Sequence, residues 1–267
     1  MNSLSYWHKQ QSQPLFSDLV WSKPENRAHA GKLLIIGGHA YNLNAPATAY
    51  SSALAEGAGA IRTILPDKVK DQLKALHQDN LDMEFAPSTP SGSFSNRALS
   101  NILEASFWAD ALLLSGDLGK NSETAVVLEK LAAKTTLPLV VAQDAVDYFI
   151  ESPQSLIDRG NTCLVINIAQ LQKLCTTLKF TTPITFSMNL INLVQELHDF
   201  TEQYNINIIV KHRNTLFVAV KGEISTTNST LSDNVPWRVV TASKSVVWWM
   251  QNPNKSFQAL TTAVFAE

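Results

Sequence analysis

The run from Lys32 to Leu65, KLLIIGGHAYNLNAPATAYSSALAEGAGAIRTIL, constrains the fold more than any other stretch of this chain. A short apolar segment, Leu33 to Ile36, stops at Gly37-Gly38 and crosses a polar loop into an alanine-rich segment. Asn44 suits an N-cap and Pro46 the first helical turn, while Gly57 and Gly59 close the helix before a second β-rich run, Ile61 to Leu65. Strand, helix and strand make one βαβ unit, and its right-handed crossover requires two parallel strands in one sheet. Ligands of open α/β sheets sit beyond the carboxyl ends of the strands, so Gly37 to Ala45 is the first place to expect a site.

The alternation continues. Asp67 to His77 has helical spacing, Ser88 to Ser95 is a loop, and Arg97 to Trp108 reads as a helix. Ala111 to Leu114 is a buried strand ending at Ser115-Gly116-Asp117-Leu118-Gly119, with Asn121 or Ser122 capping a helix through Lys134. Leu137 to Val141 and Thr162 to Ile166 are further strands, the second followed by a helix over Ile168 to Leu178. Leu190 to Tyr204 is amphipathic and feeds Ile206 to Val210 and Thr215 to Val220, whose short connection predicts a hairpin and an antiparallel edge. Ser225 to Asn234 reads as a polar loop, Arg238 to Val240 leads into Thr241-Ala242-Ser243-Lys244-Ser245 and an apolar helix with Trp248-Trp249, and Ser256 to Phe265 is the last helix. The expectation is one α/β domain over residues 1–267, three layers deep, with a mostly parallel central sheet and an antiparallel edge.

Composition narrows the function classes. A net charge of -2 with scattered Lys and Arg gives no footprint for nucleic acid. Two cysteines, Cys163 and Cys175, make no disulfide framework, and no apolar run approaches the ~18 residues of a membrane span. A cytoplasmic location is expected. Ten glycines in 267 residues fall below the usual share of about 7%, which implies that loops normally rich in glycine have been rebuilt. H-E-x-x-H, G-x-S-x-G, G-x-x-x-x-G-K-[ST] and CxxC are absent, and Gly37-Gly38 does not fit G-x-G-x-x-G.

His29-Ala30-Gly31-Lys32 through Gly37-Gly38-His39 resembles a basic "HKG" stretch before a "GGS" strand end. Ala55-Glu56-Gly57-Ala58-Gly59 resembles "RAGAG", Ser115 to Gly119 "GPGLG", and Asp144-Ala145-Val146-Asp147 "DADALN". In this order and spacing the motifs resemble the carbohydrate-kinase-like ADP/ATP-dependent NAD(P)H-hydrate dehydratases of the ribokinase-like superfamily. The resemblance implies a reaction in which ATP or ADP phosphorylates the ring hydroxyl of hydrated NADH or NADPH and elimination restores the dihydropyridine. Adenine nucleotide, hydrated NAD(P)H and Mg2+ are the implied ligands, and a homo-oligomer the implied assembly. The family's "GTGD" opens a helix, its glycines closing on phosphate and its aspartate taking the hydroxyl proton.

The chain departs from the family at that motif and at three others. The best match to "GTGD" is Ala242-Ser243-Lys244-Ser245, which puts Ser245 at the catalytic position and Lys244 where a phosphate would be held by charge. A serine hydroxyl has no useful basicity near neutral pH, and losing the carboxylate removes the roughly 10²- to 10⁴-fold of general acid–base catalysis. "TPHPGE" becomes Val165 to Gln170, with Asn167 at the histidine and an amide at the acid; "KGAHT" becomes Lys211-His212-Arg213-Asn214-Thr215. Ala45, Asp117 and Asn167 are the substrate-binding candidates, Lys211, Asn214, Thr215 and Lys244 the nucleotide-binding ones. Asp117 replaces a glycine and is expected to repel a pyrophosphate.

Two functions of different class follow: a dehydratase with an unusual site that recruits Asp144 or Asp117, or a non-catalytic nucleotide-binding or oligomerising relative. A small-molecule kinase is a third reading, and it needs the same missing aspartate. Beside these stand plainer roles: His29, His39 and His212 as surface or hydrogen-bonded histidines, Asp144 and Asp147 as loop and capping groups, Trp248-Trp249 as core, and both cysteines as buried and inert.

Overall fold

The computed structural model describes residues 4–75, 81–229 and 236–265. Its centre is a sheet built from β1 (Trp7–Gln10), β2 (Lys32–Gly37), β3 (Ala60–Pro66), β4 (Asp82–Ala86), β5 (Ala111–Gly116), β6 (Leu139–Ala142), β7 (Thr162–Ile166), β8 (Asn207–His212), β9 (Thr215–Val220) and β10 (Glu223–Asn228). The strand order is β1-β10-β9-β8-β7-β6-β5-β2-β3-β4. The strands from β8 to β4 run parallel to one another, and β9 pairs antiparallel with both β8 and β10.

Both faces of the sheet are buried, for a reason visible in its strands. Leu33 and Ile35 point to one side with Ala111 and Leu113, while Leu34 and Ile36 point to the other with Leu112 and Leu114, so period-two alternation places apolar groups on both faces. One face is covered by α1 (Ser17–Trp21), α2 (Asn44–Ala55), α10 (Trp237–Gln251) and α11 (Ser256–Phe265). The other is covered by α4 (Ala98–Ser106), α5 (Ser122–Lys134), α6 (Ala145–Ile150), α7 (Gln154–Arg159), α8 (Ile168–Thr177) and α9 (Leu190–Gln203), while α3 (Lys70–Ala75) lies between β3 and β4. This is the expected three-layer architecture with its antiparallel segment.

Three local expectations are corrected. Glu223–Asn228 is a strand rather than the start of a polar loop, because Lys221-Gly222, both at positive φ, turn the chain back onto β9. The expected antiparallel edge, β8-β9-β10, carries one more short strand: β1 adds outside β10, in parallel, and Trp7 Nε1 donates to Thr226 Oγ1 at 3.0 Å. Asn44 is the first helical residue of α2 rather than its cap, and its N–H donates to Asn42 Oδ1. Arg238 to Val240 lie within the apolar helix and do not lead into it, since α10 runs unbroken from Trp237. Leu76 and His77 of the expected 67–77 helix, and residues 230–234 of the expected loop, lie outside the described residues.

Candidate functional site

The parallel strands β5, β6 and β7 end side by side, and a cleft of about 490 Å³ opens beyond their carboxyl ends. Asp117 follows β5, Gln143 and Asp144 follow β6, and Asn167 follows β7; Asp147, Gln170, Lys173 and Arg238 complete the wall. The place is the one open α/β sheets use for ligands, one to three strands from the β2–α2 loop.

Two aspartates tie successive strand ends together. Asp144 accepts the backbone N–H groups of Asp117 at 2.7 Å and Leu118 at 2.9 Å, linking the β6 end to the β5 loop. Asp117 accepts Ala45 N–H at 2.6 Å and Asn42 Nδ2 at 2.9 Å, linking that loop to the start of α2. Asp117 sits at φ 57°, a left-handed conformation that costs a β-carbon-bearing residue roughly 1–2 kcal/mol. The neighbouring Gly116 is required sterically: at φ 111°, a β-carbon there would stand 2.5 Å from Gln143 Cβ and 2.9 Å from Asp144 Oδ1. The position that sequence marked as a repelling charge is thus a carboxylate whose two oxygens already accept hydrogen bonds.

Burial raises the Asp144 carboxyl above its ordinary range, the two amide bonds oppose that, and Asp117 adds to it. Tyr148, from α6, donates its hydroxyl to the Gly119 carbonyl and accepts Asn121 N–H at 3.2 Å, holding the rest of the β5 loop.

The opposite wall centres on Gln170, which is 5% exposed. Its backbone N–H goes to Asn167 Oδ1 at 2.8 Å, forming the capping box that starts α8. Its Nε2 donates to Gln143 O at 2.9 Å and Asp147 Oδ1 at 3.1 Å, while Oε1 accepts Arg238 Nη1 at 2.9 Å. Burial lowers the Arg238 pKa, with Asp147 and Asp144 opposing. An amide bridges acid and cation here; a carboxylate at 170 could accept from Arg238 but could not donate to Asp147.

The remaining sequence candidates divide. Ala45 and Asn167 are in or against the cleft, each engaged as above. Lys211, Asn214 and Thr215 lie on the β8–β9 turn at the same end of the sheet, since Val210 pairs with Ile166 of β7, but they do not line the cleft. Ser245 and Lys244 are corrected: they sit in the third turn of α10, not at a helix N-terminus. Ser245 is fully buried, and its hydroxyl finds no hydrogen-bond partner among the described residues. What stands at the opening of α10 is Pro236, Trp237 and Arg238, with no acid in its first turn. Gln143 and Arg238 were missed as site residues, while Gln170 was marked only as the amide at a motif's acid; Arg238 was detectable as the first charge after Pro236, a residue that favours a helix start.

His212 Nε2 lies 3.2 Å from the Met188 carbonyl, Trp248 and Trp249 are core, and both cysteines are buried, with Cys175 pushed up to about 12. Among the described residues no three His, Cys, Asp or Glu side chains are grouped to hold a metal ion. With the oxygens of Asp117 and Asp144 engaged by N–H donors and Arg238 beside them, the cleft's donor set does not fit a magnesium site of its own.

No family model matches the chain. The bifunctional NAD(P)H-hydrate repair enzyme Nnr of Dictyoglomus turgidum is 23% identical over 214 residues, which cover 79% of this chain and 40% of that protein. The match therefore spans only 40% of that relative's length. A ribokinase-like superfamily protein from Enterococcus faecalis superposes with a TM-score of 0.73 over 98% of this chain and 86% of its own, at 16% identity. The ADP/ATP-dependent NAD(P)H-hydrate dehydratase of Bacillus subtilis, co-crystallised with ATP/Mg2+, gives 0.62 over 95% and 87%, at 12% identity. The chain has a ribokinase-like α/β fold. Its sequence is similar to an NAD(P)H-hydrate repair enzyme, and its fold to an ADP/ATP-dependent NAD(P)H-hydrate dehydratase.

Proposed function

We propose that this protein binds an adenine nucleotide at the carboxyl end of its sheet and has lost the dehydration chemistry of its relatives. The observation that carries the reading is the start of α10, where Arg238 is held by the buried amide of Gln170. A guanidinium cannot take a proton from a hydroxyl, because it stays protonated in proteins. The nucleotide half of the proposal rests on the β8–β9 turn, where Lys211 supplies charge and Asn214 and Thr215 supply polar groups beside the strand ends. Magnesium would enter with the nucleotide phosphates rather than on a protein site. Lys244 and Ser245, inside α10, are left out of both roles.

The test offers the purified protein hydrated NADH with ATP or ADP and magnesium. Nucleotide binding without recovery of dihydropyridine absorbance is expected, and Lys211→Ala should weaken the binding. A second reading, retained dehydration with Asp144 as base, is favoured by one observation: its carboxyl is raised by burial and lines the cleft. Turnover lost in Asp144→Asn would establish it. Homo-oligomerisation belongs to the same proposal and is read by sedimentation equilibrium.

A further inference from the structure

The carboxylate of Asp117 has the surroundings of a bound anion rather than of a free surface acid. It lies in the wall of the cleft, half-buried, and takes the Ala45 N–H at the start of a twelve-residue helix together with the Asn42 amide. The residue that carries it is kept in the left-handed region, at φ 57°, where glycine is the low-cost choice. Asp144 fixes its backbone from the other side through the N–H groups of residues 117 and 118. The carboxylate is thus locked against the donors, not merely near them.

We infer that Asp117 is a specificity-determining residue: its carboxylate is a built-in occupant of the corner of the cleft beside Ala45 and Asn42, and it keeps anionic ligand groups out by filling the place. The inference rests on the reading that the cleft belongs to a nucleotide-handling fold, but it concerns ligand selection and not turnover. Occupancy and repulsion make different predictions. Repulsion acts through charge, so an uncharged side chain of the same shape removes it. Occupancy acts through the hydrogen bond to Ala45, which an asparagine oxygen still accepts.

Inorganic pyrophosphate is the probe, titrated calorimetrically into the full chain and its variants. Asp117→Gly should bind it at least about tenfold more tightly than the native protein, the scale of one charge-assisted hydrogen bond, while Asp117→Asn stays within about twofold. Adding Ala45→Pro to Asp117→Gly removes the amide donor at a helix start that tolerates proline, and should abolish the gain. Equal gains in the glycine and asparagine variants would overturn occupancy in favour of repulsion. A folded Asp117→Gly protein with no gain would overturn the inference altogether. Should Asp117→Gly not fold, Asp117→Ser, which is too short to reach both donors, takes its place with the same expected gain and the same contrary result. Dehydration by the native protein would sink the proposed loss of chemistry and leave these affinities to be judged on their own.

Discussion

Arg238 Nη1 donates to Gln170 Oε1 at 2.9 Å, and through this one contact the first turn of α10 is tied to the first turn of α8. Gln170 also donates to Asp147 and to the Gln143 carbonyl, so a single buried amide sets the spacing between a cation, an acid and the β6 end. Gln170→Ala leaves four partners, Arg238, Asp147, the Gln143 carbonyl and the Asn167 N–H, without their hydrogen bonds in a largely buried setting. A loss of about 2–3 kcal/mol in urea unfolding is expected, with weaker nucleotide binding if the cleft loosens. Unchanged stability would mean that the network is not holding these elements together.

Asp144 gives a pH dependence whose sign can be worked out. Burial raises its carboxyl above the ordinary 3.8 despite the Leu118 and Asp117 N–H bonds. A carboxyl raised on folding binds its proton more tightly in the native state, so its stabilisation is complete below pH 3.8 and is lost as pH rises through the native value. The stability of the native protein relative to Asp144→Asn should therefore fall between about pH 3 and pH 6, where carboxyls titrate. A rise over that interval would show the amide bonds dominating burial.

Ser245 separates the structural account from the motif match. Its hydroxyl is fully buried in α10 without a hydrogen-bond partner among the described residues, so Ser245→Ala should be neutral or stabilising by up to about 1 kcal/mol and leave ATP binding unchanged. Ser245→Asp, the substitution that would recreate the family motif, buries a carboxylate in the core and should unfold or severely destabilise the protein. Improved activity in Ser245→Asp would reverse this assignment.

Glu56 makes a comparable prediction in the opposite layer. At 8% exposure its Oε1 accepts both Lys23 Nζ and Trp248 Nε1 at 2.8 Å, with the Lys23 ammonium 4.8 Å from the Trp248 ring centroid. Glu56→Ala strands a buried indole N–H and a lysine, and a loss of about 2–4 kcal/mol is expected in thermal or urea melts. A loss confined to high-salt-sensitive tenths would assign the contact to the surface.

The layers of the fold were legible because the strands are self-announcing. Leu33–Ile36, Leu112–Leu114 and Thr162–Ile166 are apolar runs buried on both faces, and Asn121 and Asn167 cap the helices that follow. What misled was local polarity. Glu223–Asn228 is a polar string that pairs only because Lys221-Gly222 turn tightly, and its Ser and Thr side chains are buried by hydrogen bonds such as Ser225 to Thr261 at 2.8 Å. The helix starts earlier than Arg238–Val240 suggested: Ser243 satisfies its hydroxyl on the Val239 carbonyl one helical turn back, so the polar Thr241–Ser245 stretch continues the helix. The motif match at Ala242–Ser245 thus falls inside α10 and not at its opening. The cleft itself was half visible: Asp117, Asp144 and Asn167 end strands, whereas Gln170 and Arg238 reach it only through side chains from separate helices.

The most direct measurement is a single-turnover assay with protein in excess over hydrated NADH, in the presence of magnesium and ATP or ADP, following restoration of the dihydropyridine absorbance. The account predicts no recovery above the protein-free rate, although the nucleotide binds under the same conditions. Recovery that disappears in Asp144→Asn would contradict it and return the protein to the working dehydratases.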